Sequence, residues 1–241
     1  MGQLHIPWNQ LFLFAIWLIW KHRNHTVFRN SGPNPNLAKE ITLRSFEYFF
    51  CDAPDKRSVD RVTRPIQWSK LVAGWMKLNT DGSSLGNPGL AGGGGLIRNE
   101  EGTWVVGFAC KIGITSSFLA ELWALRDGLN LCITCGIAAV EVELDAKAIV
   151  DAVSNPKYSN ICASVLMDDC RHLIKQFPQI CFKHCYREAN RCVDALARMG
   201  GLQDADFIVF ESPLVDISSF LDFDISDLYL NRLCPGSLFA V

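Results

Sequence analysis

Four isolated acidic residues in the chain lie where the local sequence pattern does not require a charge. Asp81 is in a strand-like segment, Glu121 lies near the start of a long helical pattern, Asp145 ends an apolar strand, and Asp194 lies in a later helix. A buried carboxylate is costly unless it is paired with a cation or bound to a metal ion. These four acids are therefore the first candidates for chemistry.

Each acid also has an ordinary structural explanation. Asp145 could cap the helix that follows it, and Asp81 could be a turn acid before Gly82. Glu121 could interact with the helix dipole or form a capping box with a serine that precedes the helix. Asp194 could face solvent and pair with an arginine one turn away. Taken one by one, the residues leave both explanations open.

The pattern around these acids predicts a mixed α/β sheet. We expect strands at Trp75–Ser83, Gly92–Arg98, Thr103–Lys111, Ala139–Leu144 and Gln179–Tyr186. We expect helices at Ser117–Cys135, Ala146–Ser154, Ile161–Phe177 and Asn190–Met199, the last closed by Gly200-Gly201. The order β-β-β-α-β-α-α-β-α implies an antiparallel ribbon continued through crossover connections, giving five strands with flanking helices.

Composition divides the chain into four sections. Residues 1–50 are predicted to be a helical N-terminal segment, 51–74 a basic linker, 75–201 the sheet domain and 202–241 an acidic extension. Residues 1–74 carry ten Lys/Arg against five Asp/Glu, whereas residues 201–241 carry one against seven. A basic front section suits contact with phosphates. We expect a chain that starts near Val72 to keep its fold.

Other features of the sequence bear on the cellular location and argue against a phosphate-binding loop and a zinc site. The apolar run 11–20 is too short to span a bilayer and lacks the flanks of a signal peptide, so we expect no membrane association. Cysteines within helix and strand patterns indicate an intracellular protein, nuclear or cytoplasmic and not secreted. Gly92–Gly95 lacks the Lys-Ser/Thr of a phosphate loop and predicts a strand or bulge with close backbone approach. Cys132 and Cys135 lack a second ligand pair at zinc-finger spacing.

Taken together, the motifs around the four acids resemble the ribonuclease H family. The segments that carry the likeness are Asn79-Thr80-Asp81-Gly82-Ser83, Gly86-Asn87-Pro88-Gly89, Ala120-Glu121-Leu122-Trp123-Ala124-Leu125, Glu143-Leu144-Asp145, and Arg187-Glu188-Ala189-Asn190 with Asp194-Ala195-Leu196-Ala197. The chain is most similar to plant proteins that carry this domain at the end of non-LTR retrotransposon polyproteins or as stand-alone relatives. The resemblance covers roughly residues 75–200.

The resemblance implies a fold, an activity and a site. It implies the mixed five-stranded sheet and hydrolysis of the RNA strand of an RNA–DNA hybrid. It assigns Asp81, Glu121, Asp145 and Asp194 as catalytic ligands of two Mg²⁺ or Mn²⁺ ions, with no organic cofactor. Candidate contacts to the nucleic acid, including the RNA 2′-hydroxyl, are Gly82, Ser83, Ser84, Asn87 and Asn190.

Two departures from the family pattern keep alternatives open. Many relatives carry a mobile His on the loop after the last strand, whereas Tyr186-Arg187-Glu188-Ala189-Asn190 has none, and His184 lies within the strand pattern. Some relatives insert a basic helix between the two middle helices, for which residues 155–160 are too short. Binding of the RNA–DNA hybrid would then depend on other residues, such as the basic residues in 21–70. A catalytically weak nucleic-acid-binding remnant and a protein-interaction module are the alternatives to an enzyme.

Overall fold

The computed structural model describes residues 6, 8–29, 32–48, 61–155, 163–226 and 228–235. Two compact units account for the chain, Met1–Arg57 and Ser58–Val241. Among the described residues, no helix is both long enough and apolar enough to cross a bilayer.

The first unit is a pair of helices, α1 at Trp8–Arg29 and α2 at Leu37–Glu47. Phe14 of α1 and Tyr48 after α2 bring their rings to a centroid distance of 5.4 Å. The backbone amide of Asn34 in the connecting loop donates to Nε2 of His22 at 3.0 Å. Leu18 is buried, but most of the large apolar side chains of α1 are exposed. Both helices lie in the section predicted to be a helical N-terminal segment, residues 1–50, of which residues 49 and 50 lie outside the described part.

The second unit is built on a mixed sheet of six strands in the order β6-β5-β2-β3-β4-β7. Its strands are β2 Met76–Gly86, β3 Gly89–Arg98, β4 Trp104–Thr115, β5 Ala139–Leu144, β6 Gln179–His184 and β7 Phe207–Phe210. Strands β2, β3, β4 and β7 pair antiparallel, whereas β5 pairs parallel with β2 and with β6. The predicted α/β fold class is confirmed. The five predicted strands are present, and β7 adds a sixth from the section predicted to be an extension.

Four helices of the unit correspond to predicted helices. They are α3 Ser117–Thr134, α4 Lys147–Ser154, α5 Ser164–Ile174 and α6 Arg191–Leu202. Residues 156–162, which include the predicted start of α5, lie outside the described part. Helices α3 and α6 lie on opposite faces of the sheet, because a β-carbon on Gly93 would meet Ala124 of α3 and one on Gly94 would meet Ala197 of α6.

Glycines bring α6 close to the sheet. A β-carbon added to Gly92 of β3 would collide with the backbone of Gly201, and one on Gly200 would collide with the carbonyl oxygen of Cys110. The strand register also shifts between Ala91 and Gly92. The predicted bulge with close backbone approach is therefore confirmed. The predicted helix stop at Gly200-Gly201 is wrong, because these glycines allow packing within a helix that continues to Leu202.

The sections on either side of the central domain also fold into this unit. Strand β1, Arg61–Ile66, pairs antiparallel with β8, Leu230–Pro235, in a separate two-stranded ribbon. Helix α7, Val215–Ile225, buries Ile217 and Leu221 against α6. The section predicted to be a linker therefore contains a strand, and the predicted acidic extension contributes to the core.

The position of Trp68 argues against the expectation that a chain starting near Val72 keeps its fold. Its side chain is only 4% exposed. The guanidinium carbon of Arg98 lies 4.3 Å from its ring centroid, and the ammonium of Lys77 lies 4.7 Å from it. Its indole Nε1 donates to Oδ1 of Asn79 at 3.3 Å. A cut at Val72 would remove this buried ring together with its contacts on β2, so it would destabilise the domain.

Candidate metal centre

Asp81 lies in the middle of the sheet, on β2 opposite Gly94 of β3. The side chain is buried, with 7% of its surface exposed. Since side chains alternate along a strand, Asp81 shares its face with Asn79, as the sequence predicted. Asp81 is not a turn acid, because β2 continues for five residues beyond it to Gly86.

Glu121 reaches the same place from α3. A β-carbon on Gly82 would collide with the backbone of Ala120 and Glu121, so the missing side chain lets the helix approach β2 closely. The backbone amide of Gly82 hydrogen-bonds the Glu121 carboxylate. Ser116 caps the helix through its side chain, which accepts from the amide of Leu119, so the third helical position, where a capping box has its acid, is Leu119 and not Glu121. The capping-box explanation of Glu121 is therefore wrong.

Asp145 follows β5 directly. Its carboxylate does not cap α4, since the helix has Ala146 at its N-cap and no side-chain cap bond. Instead, Oδ2 of Asp145 accepts from Nε of Arg187 at 3.1 Å. The backbone oxygen of Asp145 contacts Nε2 of His184 at 3.1 Å. His184 lies in β6, as predicted, although the strand ends there and not at Tyr186.

These three acids, Asp81, Glu121 and Asp145, converge and are called the acid trio below. One carboxylate oxygen from each lies within 4.8 Å of those of the other two. Burial, and then the charges of Asp145 and Asp194, raise the pKa of Asp81 to about 8. Burial and the charges of Asp81 and Asp145 raise the pKa of Glu121 well above its usual range. Burial also raises the pKa of Asp145, against the opposing charge of Arg187.

Asp194, the fourth predicted ligand, lies beside the trio and not within it. Its Oδ2 forms an ion pair with Nη2 of Arg198 at 2.9 Å, and its side chain is 45% exposed. This is the pairing that its position in a helix also predicted. Its charge is close enough to raise the pKa of both Asp81 and Asp145. The structure therefore gathers three of the four predicted acids into one cluster and places the fourth at its edge.

The predicted nucleic-acid contacts are divided between buried and accessible positions. Asn190 is only 2% exposed. Its Nδ2 donates to the carbonyl of Thr80, and its Oδ1 accepts from Nδ2 of Asn79. Both ends of the amide therefore join the start of α6 to β2, and a contact of Asn190 with nucleic acid stays a prediction. The backbone amide of Gly82 is likewise engaged with Glu121.

Ser83, Ser84 and Asn87 lie along the end of β2 and the turn after it. Ser83 is partly exposed. The hydroxyl of Ser84 contacts the carbonyl oxygens of Gly86 and Thr115 at 2.6 and 2.9 Å. Oδ1 of Asn87 accepts from the backbone amide at the start of α3 at 3.2 Å. Among these three, Ser83 remains the simplest candidate contact.

A second polar cluster adjoins the trio and is called the balanced cluster below. Its cations lie against acids on neighbouring elements: Lys77 with Glu141 and Glu143, Lys183 with Glu141, and Arg98 with Asp224 of α7. Asn79 connects the two halves, accepting from Arg98 at 2.8 Å and donating to Glu143 at 3.2 Å. Each of the three acids therefore has at least one cation against it, which lowers the cost of burying them.

The acid trio fits a divalent metal ion. Oxygen ligands are those that Mg²⁺ and Mn²⁺ prefer, and all three residues supply them. Oε2 of Glu121 is buried and has no hydrogen-bond partner among the described residues. A cation at this point would satisfy the buried carboxylate oxygen, which faces two other carboxylates. The trio is also the one group of His, Cys, Asp and Glu side chains in the described residues that is compact enough to hold a metal.

Sequence reasoning did not assign a role to Arg187. Its side chain is 87% exposed, yet its Nε contacts the acid trio through Asp145. Its charge lowers the pKa values of Asp81 and Glu121. The available signal was its place in the loop where many ribonuclease H relatives carry a His. The arginine in this loop therefore places a cation against the acid trio.

Comparison with known proteins gives this geometry a family. A family model described as reverse transcriptase-like matches residues 79–200, about half of the chain. A protein of Arabidopsis thaliana named for ribonuclease H is 34% identical over 195 residues. That match covers 80% of this chain but 32% of the relative, so the chain spans about a third of the relative's length.

Solved structures show the same fold. The crystal structure of RNase H1 from the halophilic archaeon Halobacterium salinarum is 26% identical, with a TM-score of 0.51 over 54% of this chain and 99% of its own. The N-terminal RNase H domain of a Mycobacterium tuberculosis protein is 27% identical, with a TM-score of 0.51 over 53% of this chain and 93% of its own. Together these findings show that the chain belongs to the reverse transcriptase-like family and that its central domain is of the ribonuclease H type.

Proposed function

We propose that the protein is a metal-dependent endonuclease that hydrolyses the RNA strand of RNA–DNA hybrids. The observation that carries the proposal is the convergence of Asp81, Glu121 and Asp145, with carboxylate oxygens within 4.8 Å of one another. These are three of the four positions that the family resemblance assigns to metal binding. The same trio explains why a β-strand, a helix and a strand end, far apart in sequence, present acids to one point.

The chain's own residues would perform distinct tasks in this reaction. Asp81 and Glu121 lie deepest and would hold a cation away from bulk water, while Asp145 would complete the ligand set from the strand end. Asp194, at 45% exposure, lies where it could bind a second ion or orient a water molecule. When bound, two Mg²⁺ or Mn²⁺ ions supply activation of the attacking water and stabilisation of the leaving oxygen.

Arg187 would act both in the metal-free protein and when substrate binds. In the metal-free protein its guanidinium offsets part of the negative charge of the acid trio through Asp145. With 87% of its side chain exposed, it can turn away from Asp145 and contact a phosphate oxygen of the substrate. It would therefore compensate charge in both states without the loop His.

A second candidate function is supported by the same ion pair. Arg187 occupies Oδ2 of Asp145, one of the two carboxylate oxygens of a member of the acid trio. If that pair persists when substrate binds, the domain would bind nucleic acid but cleave it poorly, as expected of a retrotransposon remnant. Binding without cleavage distinguishes this alternative from the proposed enzyme.

The test is cleavage of an end-labelled RNA strand paired with DNA, in the presence of Mg²⁺ or Mn²⁺, by the full chain. We expect cleavage of the hybrid but not of an RNA–RNA duplex of the same sequence. Asp81→Asn should reduce the rate about a thousandfold or more, which corresponds to about 4 kcal/mol of lost transition-state stabilisation. The reason is that a neutral amide binds a hard cation far more weakly than a carboxylate does.

Asp151→Asn is the matched control. Asp151 is an exposed acid on α4 that pairs with Lys147 and is not a member of the acid trio. We expect this variant to cleave at the wild-type rate. Equal rates for wild type and Asp81→Asn would contradict the proposed mechanism, and hybrid binding without any cleavage would favour the remnant.

A further inference from the structure

Asn190 connects the strand that carries Asp81 to the helix that carries Asp194. Nδ2 of its side chain donates to the carbonyl oxygen of Thr80 at 3.1 Å, and Thr80 directly precedes Asp81 on β2. The backbone carbonyl oxygen of Asn190 accepts from the backbone amide of Asp194 at 3.1 Å, in the first turn of α6. A single residue therefore links the backbone beside one of these acids to the backbone of the other.

The orientation of the Asn190 amide is fixed by a chain of hydrogen bonds. Nη2 of Arg98 and Nε1 of Trp68 both donate to Oδ1 of Asn79, at 2.8 and 3.3 Å. Since these two groups can only donate, Nδ2 of Asn79 must point the other way, and it donates to Oδ1 of Asn190 at 3.2 Å. Nδ2 of Asn190 then faces the carbonyl oxygen of Thr80, which can only accept.

This hydrogen bond is made where β5 separates from β2. Thr80 is the last residue of β2 that pairs with β5, and its partner is Leu144. Asp145 of the acid trio directly follows Leu144. Asn190 therefore joins the start of α6 to the sheet beside the point at which Asp145 leaves it.

The other contacts of Asp194 and α6 do not fix the distance between Asp194 and the acid trio. Asp194 pairs with Arg198 on the same helix, so this ion pair moves with α6. Leu196 of α6 packs with Leu96 of β3 in an apolar cluster. Apolar packing has no directional preference, whereas a hydrogen bond has. The bond from Asn190 is therefore the contact that can set the position of the first turn of α6.

We infer that Asn190 is a positioning residue, which holds Asp194 at the distance from the acid trio at which it can bind a metal ion together with Asp81. The inference rests on the proposed function and assigns the Asn190 side chain a task within the protein. An amide suits this task, because a carboxylate could not donate to Thr80 and would add a negative charge beside the trio. With 2% of its surface exposed, Asn190 could contact a substrate only by giving up one of these bonds.

The experiment is a double-variant cycle of Asn190→Ala and Asp194→Asn in the full chain, read out by calorimetric titration of Mn²⁺. Each single variant should bind Mn²⁺ about tenfold more weakly than the wild type, which is typical of the loss of a residue that orients a ligand. The double variant should bind no more weakly than Asp194→Asn alone, because the carboxylate that Asn190 positions is already lost.

Gln203→Ala is the matched control. Nε2 of Gln203 donates to the carbonyl oxygen of Ala109 of β4 at 3.2 Å, so its amide joins the other end of α6 to the sheet. It lies about 13 Å from Asp194 along the helix axis. This variant should lower the melting temperature, as Asn190→Ala does, but it should keep the Mn²⁺ affinity of the wild type.

Asn190→Gln separates position from stability. This variant keeps the amide but lengthens the side chain by one methylene, so it should move the start of α6 relative to β2. We expect its melting temperature to lie closer to that of the wild type than the melting temperature of Asn190→Ala, with the Mn²⁺ affinity still lowered. If Mn²⁺ affinity simply followed melting temperature across all the variants, Asn190 would be structural and the inference would fail.

Cleavage kinetics separate positioning from contact with the substrate. Asn190→Ala should lower kcat about a hundredfold and leave KM for the hybrid within about twofold of the wild-type value, because the first turn of α6 and not the bound substrate is displaced. A raised KM with an unchanged kcat would show that Asn190 binds the nucleic acid, and would overturn the inference.

The outcomes distinguish this inference from the proposed function. If the wild type binds Mn²⁺ and the cycle shows the expected coupling, but no hybrid is cleaved, the proposed function is wrong and the role of Asn190 stands. If the wild type cleaves hybrid and the losses in the double variant are additive, the inference is wrong and the proposed function stands. Equal Mn²⁺ affinity in Asp194→Asn and the wild type would also overturn the inference, since Asn190 would then have no metal ligand to position.

Discussion

Strand β2 takes part in two buried polar clusters that differ in the balance of their charges. In the balanced cluster, Lys77, Arg98 and Lys183 face Glu141, Glu143 and Asp224. In the acid trio, three carboxylates converge, and the exposed Arg187 forms an ion pair with one of them, Asp145. Asn79 of the first cluster and Asp81 of the second lie two residues apart on the same face of the strand.

The imbalance is reflected in the pKa values. The pKa of Glu141 is lowered in spite of burial, because Lys183 hydrogen-bonds it and Lys77 adds its charge. The pKa of Asp81, by contrast, rises to about 8 under burial and the charges of Asp145 and Asp194. Burial of acids therefore does not by itself identify a functional site. What identifies one is a buried charge that the protein leaves without compensation.

The largest effect is expected from breaking the balanced cluster. Asp224→Asn would leave the guanidinium of Arg98, only 1% exposed, without its ion-pair partner at 2.8 Å. Loss of one partner of a buried pair costs about 3–5 kcal/mol. For a unit of this size the melting temperature should fall by about 10 °C. Thermal denaturation followed by circular dichroism measures the change.

Asp222→Asn is the matched control for this prediction. Asp222 lies on the same helix, two residues earlier, and its side chain is exposed. Its substitution should change stability by no more than about 0.5 kcal/mol. Equal melting temperatures for the two variants would mean that the Arg98–Asp224 pair does not stabilise the fold.

The acid trio, in contrast to the balanced cluster, should lower the stability of the metal-free protein, and this effect should depend on pH. The pKa of Asp81 is about 8 in the folded protein and 3.8 in its ordinary state. Between pH 4 and pH 8 the folded state therefore retains a proton that the unfolded state has lost. Stability without metal should fall across this window, with a slope of about 1.4 kcal/mol per pH unit for one proton. Below pH 4 the contribution disappears, because both states are protonated.

Asp81→Asn provides the comparison. Without metal ions, in a chelating buffer, the variant should melt above the wild type near pH 8 and at nearly the same temperature near pH 4. If the difference in melting temperature between the variant and the wild type were the same at pH 4 and at pH 8, the trio would carry no uncompensated charge.

Local pattern was sufficient for most of the central domain. Helix periodicity predicted α3, and apolar alternation predicted the strand that carries Asp81. The glycines of β3 predicted a close backbone approach, which α6 makes. These features depend on neighbouring residues in the sequence, so a single sequence contains the signal.

The features that were not predicted depend on contacts between residues far apart in the sequence. The pairing of β1 with β8 joins segments more than 160 residues apart, and neither strand has a strong pattern of its own. Trp68 lies in the section predicted to be a linker, and the sequence around it does not show that Arg98 and Lys77 pack against its ring. Asn190 belongs to the segment that resembles the ribonuclease H family, but its side chain is buried and connects to Asn79 and Thr80. The sequence does not show this, because these partners lie about 110 residues away.

The most direct test of the central claim is calorimetric titration of Mn²⁺ into the full chain. Mn²⁺ is chosen because it binds oxygen ligands more tightly than Mg²⁺ does. We expect the wild type and Asp222→Asn to bind Mn²⁺ equally, and Asp81→Asn to bind it at least about tenfold more weakly, a loss of about 1.4 kcal/mol. Equal affinity in all three proteins, or no binding by the wild type at millimolar Mn²⁺, would contradict the assignment of the acid trio as a metal site.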